Sequence, residues 1–113
     1  MGLELIEEKG DRIIIVIARG RLDSNTSQVF GARLEKLTSL AEPRVVLDFA
    51  VIEFMSSAGL RVILALHKRV RAARGMLTLC AVQAPVREVL DITGFADMLG
   101  VHSARADAIS ALA

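Results

Sequence analysis

The sequence is poor in aromatic residues and cysteine, and these shortages narrow the class of protein. Its 113 residues contain no tryptophan or tyrosine and four phenylalanines. The core must therefore be aliphatic, and the chain lacks the aromatic stacking platform with which proteins bind single-stranded nucleic acid. The single cysteine, Cys80, can form no intramolecular disulfide, which fits a reducing compartment. A net charge of +1 gives no electrostatic reason to expect nucleic acid or a membrane as partner.

Long apolar runs and export signals are also missing. The longest apolar stretch, residues 13–18, is far shorter than the roughly 20 residues that span a bilayer. The acidic N-terminus has no basic start followed by an apolar run, as a signal peptide would. We therefore expect a cytoplasmic protein without membrane insertion. Hydrophobic residues make up 53% of the chain, which predicts one domain over residues 1–113.

Apolar periodicity and turn residues divide the chain into alternating strands and helices. Strands are predicted over residues 3–8, 12–19, 44–49 and 76–82, with a short one at 100–102. Helices are predicted from the capping run Asp23–Asn25 to before Pro43, from Ser56 to about Arg74 with Gly75 as its C′ residue, from Pro85 to Gly94, and from Ser103 onward. This order predicts an α/β fold, with a mixed sheet of four to five strands covered by about four helices.

The segment over residues 45–64, VVLDFAVIEFMSSAGLRVIL, carries the most information. A buried strand ends in Asp48-Phe49, a short apolar loop is expected after it, and Ser56 and Ser57 open a helix. Unpaired amides and the helix dipole favour negative charge at such a start. A serine there can cap the helix, or as phosphoserine it would carry about −1.5 to −2 charges beside the same amides.

No arrangement of residues typical of an enzyme is found. Asp48 has no second carboxylate or base at motif spacing, and His67, His102 and Cys80 share no metal-ligand spacing. Ser57 does not lie in a G-x-S-x-G elbow, and glycine-rich phosphate loops are absent. We therefore expect a protein that is not an enzyme and uses no cofactor or metal.

The helix after Ser57 has two predicted faces. At 100° steps, one apolar face should be buried; it consists of Val62, Ile63, Leu66, Val70 and Ala73. Basic residues cover the opposite side: Arg61, Lys68, Arg69 and Arg71. Leu64 falls among these basic residues, so it is predicted to be exposed and to anchor an acidic partner surface.

Three motifs resemble one known family. Residues 45–64 are similar to the signature of STAS domains, above all of stand-alone anti-sigma factor antagonists, in which a strand ends in Asp-Leu/Phe and a hydrophobic loop precedes Asp/Ser-Ser-Ser/Ala-Gly-Leu. Gly20-Arg21-Leu22-Asp23 resembles the family's Gly-x-Leu-Asp after the second strand. Residues 86–95, VREVLDITGF, resemble its third helix. The resemblance covers nearly the whole chain, in order and without insertions.

The resemblance implies a phosphorylation switch. Antagonists of this type bind an anti-sigma factor that is also a serine kinase, which phosphorylates the serine two residues before the motif glycine and so breaks the complex; a serine phosphatase resets it. By position these residues are Ser57 and Gly59, and Asp23 matches the family aspartate near the phosphosite. Ser56 stands where many such antagonists have Asp. The predicted partner-binding residues are Asp23, Ser56, Ser57, Ala58, Gly59, Arg61, Leu64 and Lys68.

Other functions share this fold, because fold alone does not fix function. The chain could be an antagonist of a kinase that controls a process other than transcription, such as secretion. The chain could instead be a small STAS subunit docked on a lipid or anion transport system, and a small enzyme is the third alternative. An adjacent gene for a histidine-kinase-like ATPase would favour the antagonist, and a lipid transporter operon would favour the transport subunit.

Overall fold

A computed structural model describes residues 2–10, 12–39 and 41–112 of the chain, and these residues form five strands and five helices. The strands are β1 (Leu3–Lys9), β2 (Ile14–Leu22), β3 (Arg44–Met55), β4 (Met76–Cys80) and β5 (Val101–His102). The helices are α1 (Ser27–Leu37), α2 (Ser57–Ala72), α3 (Ala84–Ile92), α4 (Phe95–Leu99) and α5 (Arg105–Ser110). The short α4 is one element more than the sequence predicted.

The strands form one mixed sheet in the order β1-β2-β3-β4-β5. β1 pairs antiparallel with β2, and every later neighbour is parallel. Parallel pairing needs a crossover between strands, and α1, α2 and the α3–α4 pair provide the three crossovers. The predicted α/β class with a mixed sheet is confirmed.

The two faces of the sheet are covered very differently. The main core lies on one face, under α1 to α4, and is almost entirely aliphatic, with Phe30 and Phe49 as its aromatic members. On the opposite face a second, smaller cluster joins Val46 and Cys80 of the sheet to Ala108 and Leu112. Among the described residues, α5 is the helix of that second face, where it packs on β3, β4 and β5.

β3 is longer than predicted, because the expected loop after Phe49 is strand up to Met55. The pairing of β2 with β3 shifts register twice, between Ile17 and Arg19 and between Gly20 and Arg21. Each shift inserts one extra residue in β3, which is a β-bulge. The bulges replace the alternation of a strand by a spacing of three, so that apolar residues of this segment are buried at Ile52 and Met55.

Three helix ends differ from the sequence prediction. Thr26, and not the Asp23–Asn25 run, is the N-cap of α1, and Ala104 precedes α5 where Ser103 was expected. At the end of α2 the left-handed position is occupied by Arg74 (φ 63°) instead of Gly75. Gly75 is required for another reason: a Cβ there would lie 2.0 Å from the carbonyl oxygen of Pro43.

Candidate functional site

The two adjacent serines at the start of α2 have different structural positions. Ser56 is the N-cap, and its Oγ accepts a hydrogen bond from the Gly59 amide at 3.3 Å. Ser57 is the first helical residue and is exposed. The predicted capped helix start is confirmed, with Ser56 as the cap. The Ser57 hydroxyl consequently lies on the surface beside a helix N-terminus, where negative charge is favoured.

Backbone contacts anchor this helix start to the end of β2. The Ser56 amide donates to the Leu22 carbonyl oxygen at 2.9 Å. A Cβ on Gly59 would lie 2.8 Å from Leu22 Cγ and 2.9 Å from Leu22 O, distances that real Cβ atoms do not tolerate. Glycine at position 59 therefore allows α2 to approach β2 closely, which fixes the Ser57 turn against the sheet.

Asp23 follows Leu22 directly, so the same contacts bring its loop next to the Ser57 turn. Its Oδ1 accepts from the amides of Asn25 at 2.9 Å and Thr26 at 3.1 Å, which closes a turn ahead of α1. The Thr26 amide lowers the pKa of Asp23 most, against an opposing effect of burial, and the Asn25 amide, the Thr26 hydroxyl and the charge of Arg21 lower it further. The carboxylate stays ionised at neutral pH, and its loop is adjacent to the serines, as the resemblance to the family implies.

The predicted partner-binding residues of α2 differ in their exposure to solvent. Arg61 and Lys68 are exposed, and Ala58 is half-buried. Leu64 was predicted to be exposed, and this prediction is wrong, because Leu64 is half-buried and packs against the main core. The core extends further around α2 than an ideal helical wheel indicates. Of the predicted buried face, Ile63, Leu66 and Val70 are buried, whereas Val62 and Ala73 are half-buried.

Sequence reasoning missed an apolar and basic surface beside the site. Val51 and Phe54 on the bulged end of β3 are 45% and 40% exposed. The Arg21 guanidinium lies 4.4 Å from the centroid of the Phe54 ring, within the range of a cation–π interaction, and its Nε is 3.9 Å from Asp23 Oδ2. The sequence signal that could have indicated this surface was the presence of large apolar residues in a segment expected to be a loop.

A buried carboxylate lies on the second face of the sheet, away from the serines. Asp48 Oδ2 accepts from Arg105 Nη2 at 2.7 Å and Nε at 3.0 Å, and Oδ1 accepts from the Ala50 amide at 3.0 Å. Arg105 also lies 3.6 Å from Glu8. Burial, and then the Asp48 charge, raise the pKa of Cys80 to about 11. The ion pair attaches α5 to the sheet, and burial favours the protonated, less nucleophilic form of the Cys80 thiol.

The described part of the structure shows neither a metal site nor a membrane-spanning helix. Within residues 2–10, 12–39 and 41–112, no three His, Cys, Asp or Glu side chains are grouped so that they could hold a metal ion. None of the helices in that part of the chain is long and apolar enough to cross a membrane.

Comparison with known proteins gives a consistent result. A family model described as the STAS domain matches residues 5–108. A putative anti-sigma factor antagonist, BtrV of Bordetella bronchiseptica, is 36% identical over 109 residues, which cover 96% of this chain and 94% of that protein. An anti-sigma factor antagonist from Mycobacterium paratuberculosis has a similar crystal structure, with a TM-score of 0.87, 21% identity and coverage of 97% and 93%. The structure of the Bacillus cell fate determinant SpoIIAA in its phosphorylated form gives a TM-score of 0.75 at 18% identity, with coverage of 97% and 100%.

Proposed function

The chain belongs to the STAS domain family, and from this premise we propose that it is a partner-switching regulator whose switch is Ser57. Its fold is that of an anti-sigma factor antagonist. In the proposed cycle, the unmodified protein binds an anti-sigma factor with serine kinase activity. Phosphorylation of Ser57 releases the partner, and a serine phosphatase restores binding. The protein itself performs no turnover in this cycle, and we expect it to act in the cytoplasm.

The difference between the two serines is the observation that carries the proposal. The Ser56 hydroxyl is engaged as the helix cap at 3.3 Å from the Gly59 amide, whereas Ser57 is exposed one residue later. A kinase can reach the Ser57 hydroxyl without breaking the cap. Ser57 also keeps the register of the family motif, two residues before Gly59.

Electrostatics gives the direction of the switch. A phosphate at a helix N-terminus is locally favourable, so the fold should tolerate it. A partner surface that packs on the neutral serine would meet a desolvated dianion, and an unpaired buried charge costs several kcal/mol. Since about 1.4 kcal/mol corresponds to a tenfold change in affinity, release of the partner follows. That SpoIIAA, a protein of the same fold, has been seen phosphorylated supports the proposal.

Asp23 and the exposed α2 residues complete the proposed partner surface. The ionised Asp23 carboxylate, held by the amides of Asn25 and Thr26, places a fixed negative charge beside the Ser57 turn. Once Ser57 is phosphorylated, this charge would add to the negative potential that the partner surface meets, and so sharpen the switch. Arg61 and Lys68 would complement acidic groups of the partner, while half-buried Leu64 would contribute only its accessible edge.

The test measures binding of Ser57 and Ser56 variants to a serine kinase of the anti-sigma factor class from the same organism. Ser57→Asp should fold normally and bind the kinase at least tenfold more weakly, and Ser57→Ala should bind but resist phosphorylation. Asp23→Asn keeps the acceptor atom for the turn, and should change phosphorylation or binding while leaving the fold intact. Full affinity in Ser57→Asp would contradict the proposal.

A further inference from the structure

α5 leaves part of the second sheet face uncovered. We call this region the open sheet face, and it consists of Ile6, Ile17, Arg19, Arg21, Val51 and Phe54. The helix and the residues after it cover Val46 and Cys80, toward the other end of the strands. Beyond them Val51 and Phe54 are exposed, and Ile6 and Ile17 are half-buried.

Strand alternation and register place these six residues together. On β2, Val16, Ala18 and Leu22 point into the main core, so the residues between them point to the opposite face. The cross-strand pairs are Ile6 with Ile17, Arg19 with Val51, and Arg21 with Phe54. The two bulges of β3 turn Val51 and Phe54 to this face, because Ile52 and Met55 are the residues that enter the core.

The open sheet face is continuous with the switch region through Arg21. The Arg21 guanidinium is stacked on Phe54 and lies within ion-pair distance of Asp23. Stacking holds the planar guanidinium in place, and half of its side-chain surface remains exposed. The Asp23 carboxylate is 3.9 Å away and is already bonded to two amides, so Arg21 keeps donors for an external carboxylate.

Charge on the neighbouring strand indicates which partner this face fits. Glu4 lies 3.7 Å from Arg19 and Glu8 lies 3.6 Å from Arg105, so acidic side chains follow β1 along the same face. These carboxylates neutralise Arg19 and Arg105, so the face lacks the excess of positive charge that binds a phosphate backbone or an anionic membrane. Exposed aromatic and arginine side chains, in contrast, are enriched where proteins bind other proteins.

We propose that the open sheet face docks an apolar, carboxylate-bearing segment of the same anti-sigma factor that contacts Ser57. Phe54 and Val51 pack against its apolar side chains, and Arg21 pairs with its carboxylate. The inference rests on the proposed function and extends it: this face supplies affinity that does not depend on the state of Ser57. The partner therefore holds the antagonist at two adjacent places, and phosphorylation acts on one of them.

The test uses the Ser57→Ala protein, which cannot be phosphorylated at the switch, and a purified serine kinase of the anti-sigma factor class that phosphorylates the wild-type chain. In this background Phe54→Ala should weaken kinase binding at least tenfold by calorimetry, and Arg21→Gln should weaken it severalfold. Ile92→Ala is the matched control, because Ile92 is 77% exposed on α3, outside the open sheet face, and should change affinity less than twofold. Circular dichroism should show an unchanged fold in all three variants.

Three outcomes would overturn the inference, and they are distinguishable. Affinity within twofold of the parent in both Phe54→Ala and Arg21→Gln rejects the docking face and leaves the switch at Ser57 intact. A Phe54→Ala change that dissociates a dimer in sedimentation, without weakening kinase binding, assigns the face to a second copy of the chain. If every such kinase from the organism neither binds nor phosphorylates the wild-type protein, the proposed function fails together with the inference. Should Phe54→Ala unfold, Arg21→Gln alone decides.

Discussion

The attachments of α2 and α5 to the sheet differ in kind. α2 begins with backbone contacts: the Ser56 amide bonds to Leu22 O, and Gly59 lies directly against Leu22. α5 begins with a side-chain ion pair, in which Arg105 reaches the buried Asp48. The attachment of α2 does not use the Ser57 side chain, so Ser57 can be modified without loosening the helix. The attachment of α5, in contrast, depends on the charges of Arg105 and Asp48.

This contrast is what the proposed phosphorylation switch requires. A phosphate on Ser57 would change the surface charge, while the cap is formed by Ser56 and the close contact by Gly59. The proposed switch would then act by repulsion at the surface and not by rearrangement of the core. The following predictions test the contrast, beginning with the change that should perturb stability most.

Gly59→Ala should destabilise the protein by about 3 kcal/mol, at the upper end of the usual range for overpacking. The added Cβ would meet Leu22 Cγ and O at 2.8 and 2.9 Å, so the α2 start must move away from β2. Urea unfolding measures the loss. Gly31→Ala is the control: its Cβ would meet one side chain and no backbone, Val62 at 3.3 Å, a contact that a shift of a few tenths of an ångström relieves, and alanine gains helix propensity. Equal stability of the two variants would refute the glycine contact.

Arg105→Ala should cost about 2 kcal/mol, because it removes two hydrogen bonds from a buried carboxylate. In the control, Arg87→Ala breaks an exposed helical pair with Asp91 and should cost less than about 0.5 kcal/mol. The two free energies of unfolding, measured side by side, should differ clearly. If they are the same, the ion pair does not hold α5.

Cys80 reports the same attachment through its thiol. With a pKa of about 11 and no exposed surface, Cys80 should react with a disulfide reagent at pH 8 only when α5 opens. Its raised pKa also predicts that stability is complete below pH 9 and falls as the pH rises toward about 11. Faster labelling in Arg105→Ala than in Arg87→Ala is expected, and equal rates would place Cys80 outside the cover of α5.

Substitutions of the two adjacent serines should differ in their effect on the free energy of unfolding, because only Ser56 caps the helix. Ser56→Ala loses the cap of α2 and should cost about 1 kcal/mol. Ser57→Ala removes an exposed hydroxyl and should change the free energy of unfolding by less than about 0.5 kcal/mol. Thermal unfolding of the two proteins compares them directly. The reverse order would mean that Ser57, and not Ser56, caps the helix.

The sequence predicted the order of strands and helices because that information is local. β-branched runs, caps and proline positions lie within a few residues of one another. The helix start at Ser56 could be predicted in the same way, from its capping residues. The adjacency of the Asp23 loop is not local, and only the resemblance to the family implied it.

The surface beside the site could not be predicted, because it depends on pairing between strands. The segment from Ala50 to Met55 lacks a period of two, and only its pairing with β2 reveals the two bulges that bury Ile52 and expose Phe54. The prediction that Leu64 is exposed failed for a related reason, since the extent of the core around α2 depends on neighbouring elements and not on the helix alone. The apolar pattern of one segment therefore cannot predict which of its residues are buried when neighbouring elements determine the packing.

The central claim is that Ser57 alone is the switch, and mass spectrometry of the kinase-treated protein tests it most directly. The wild-type chain and Ser56→Ala should each carry one phosphate, mapped to Ser57 by peptide fragmentation, and Ser57→Ala should carry none. The phosphorylated wild type should elute apart from the kinase on gel filtration, while the unmodified protein elutes with it. Phosphate mapped to Ser56, or a Ser57-phosphorylated protein that still elutes with the kinase, would contradict the account.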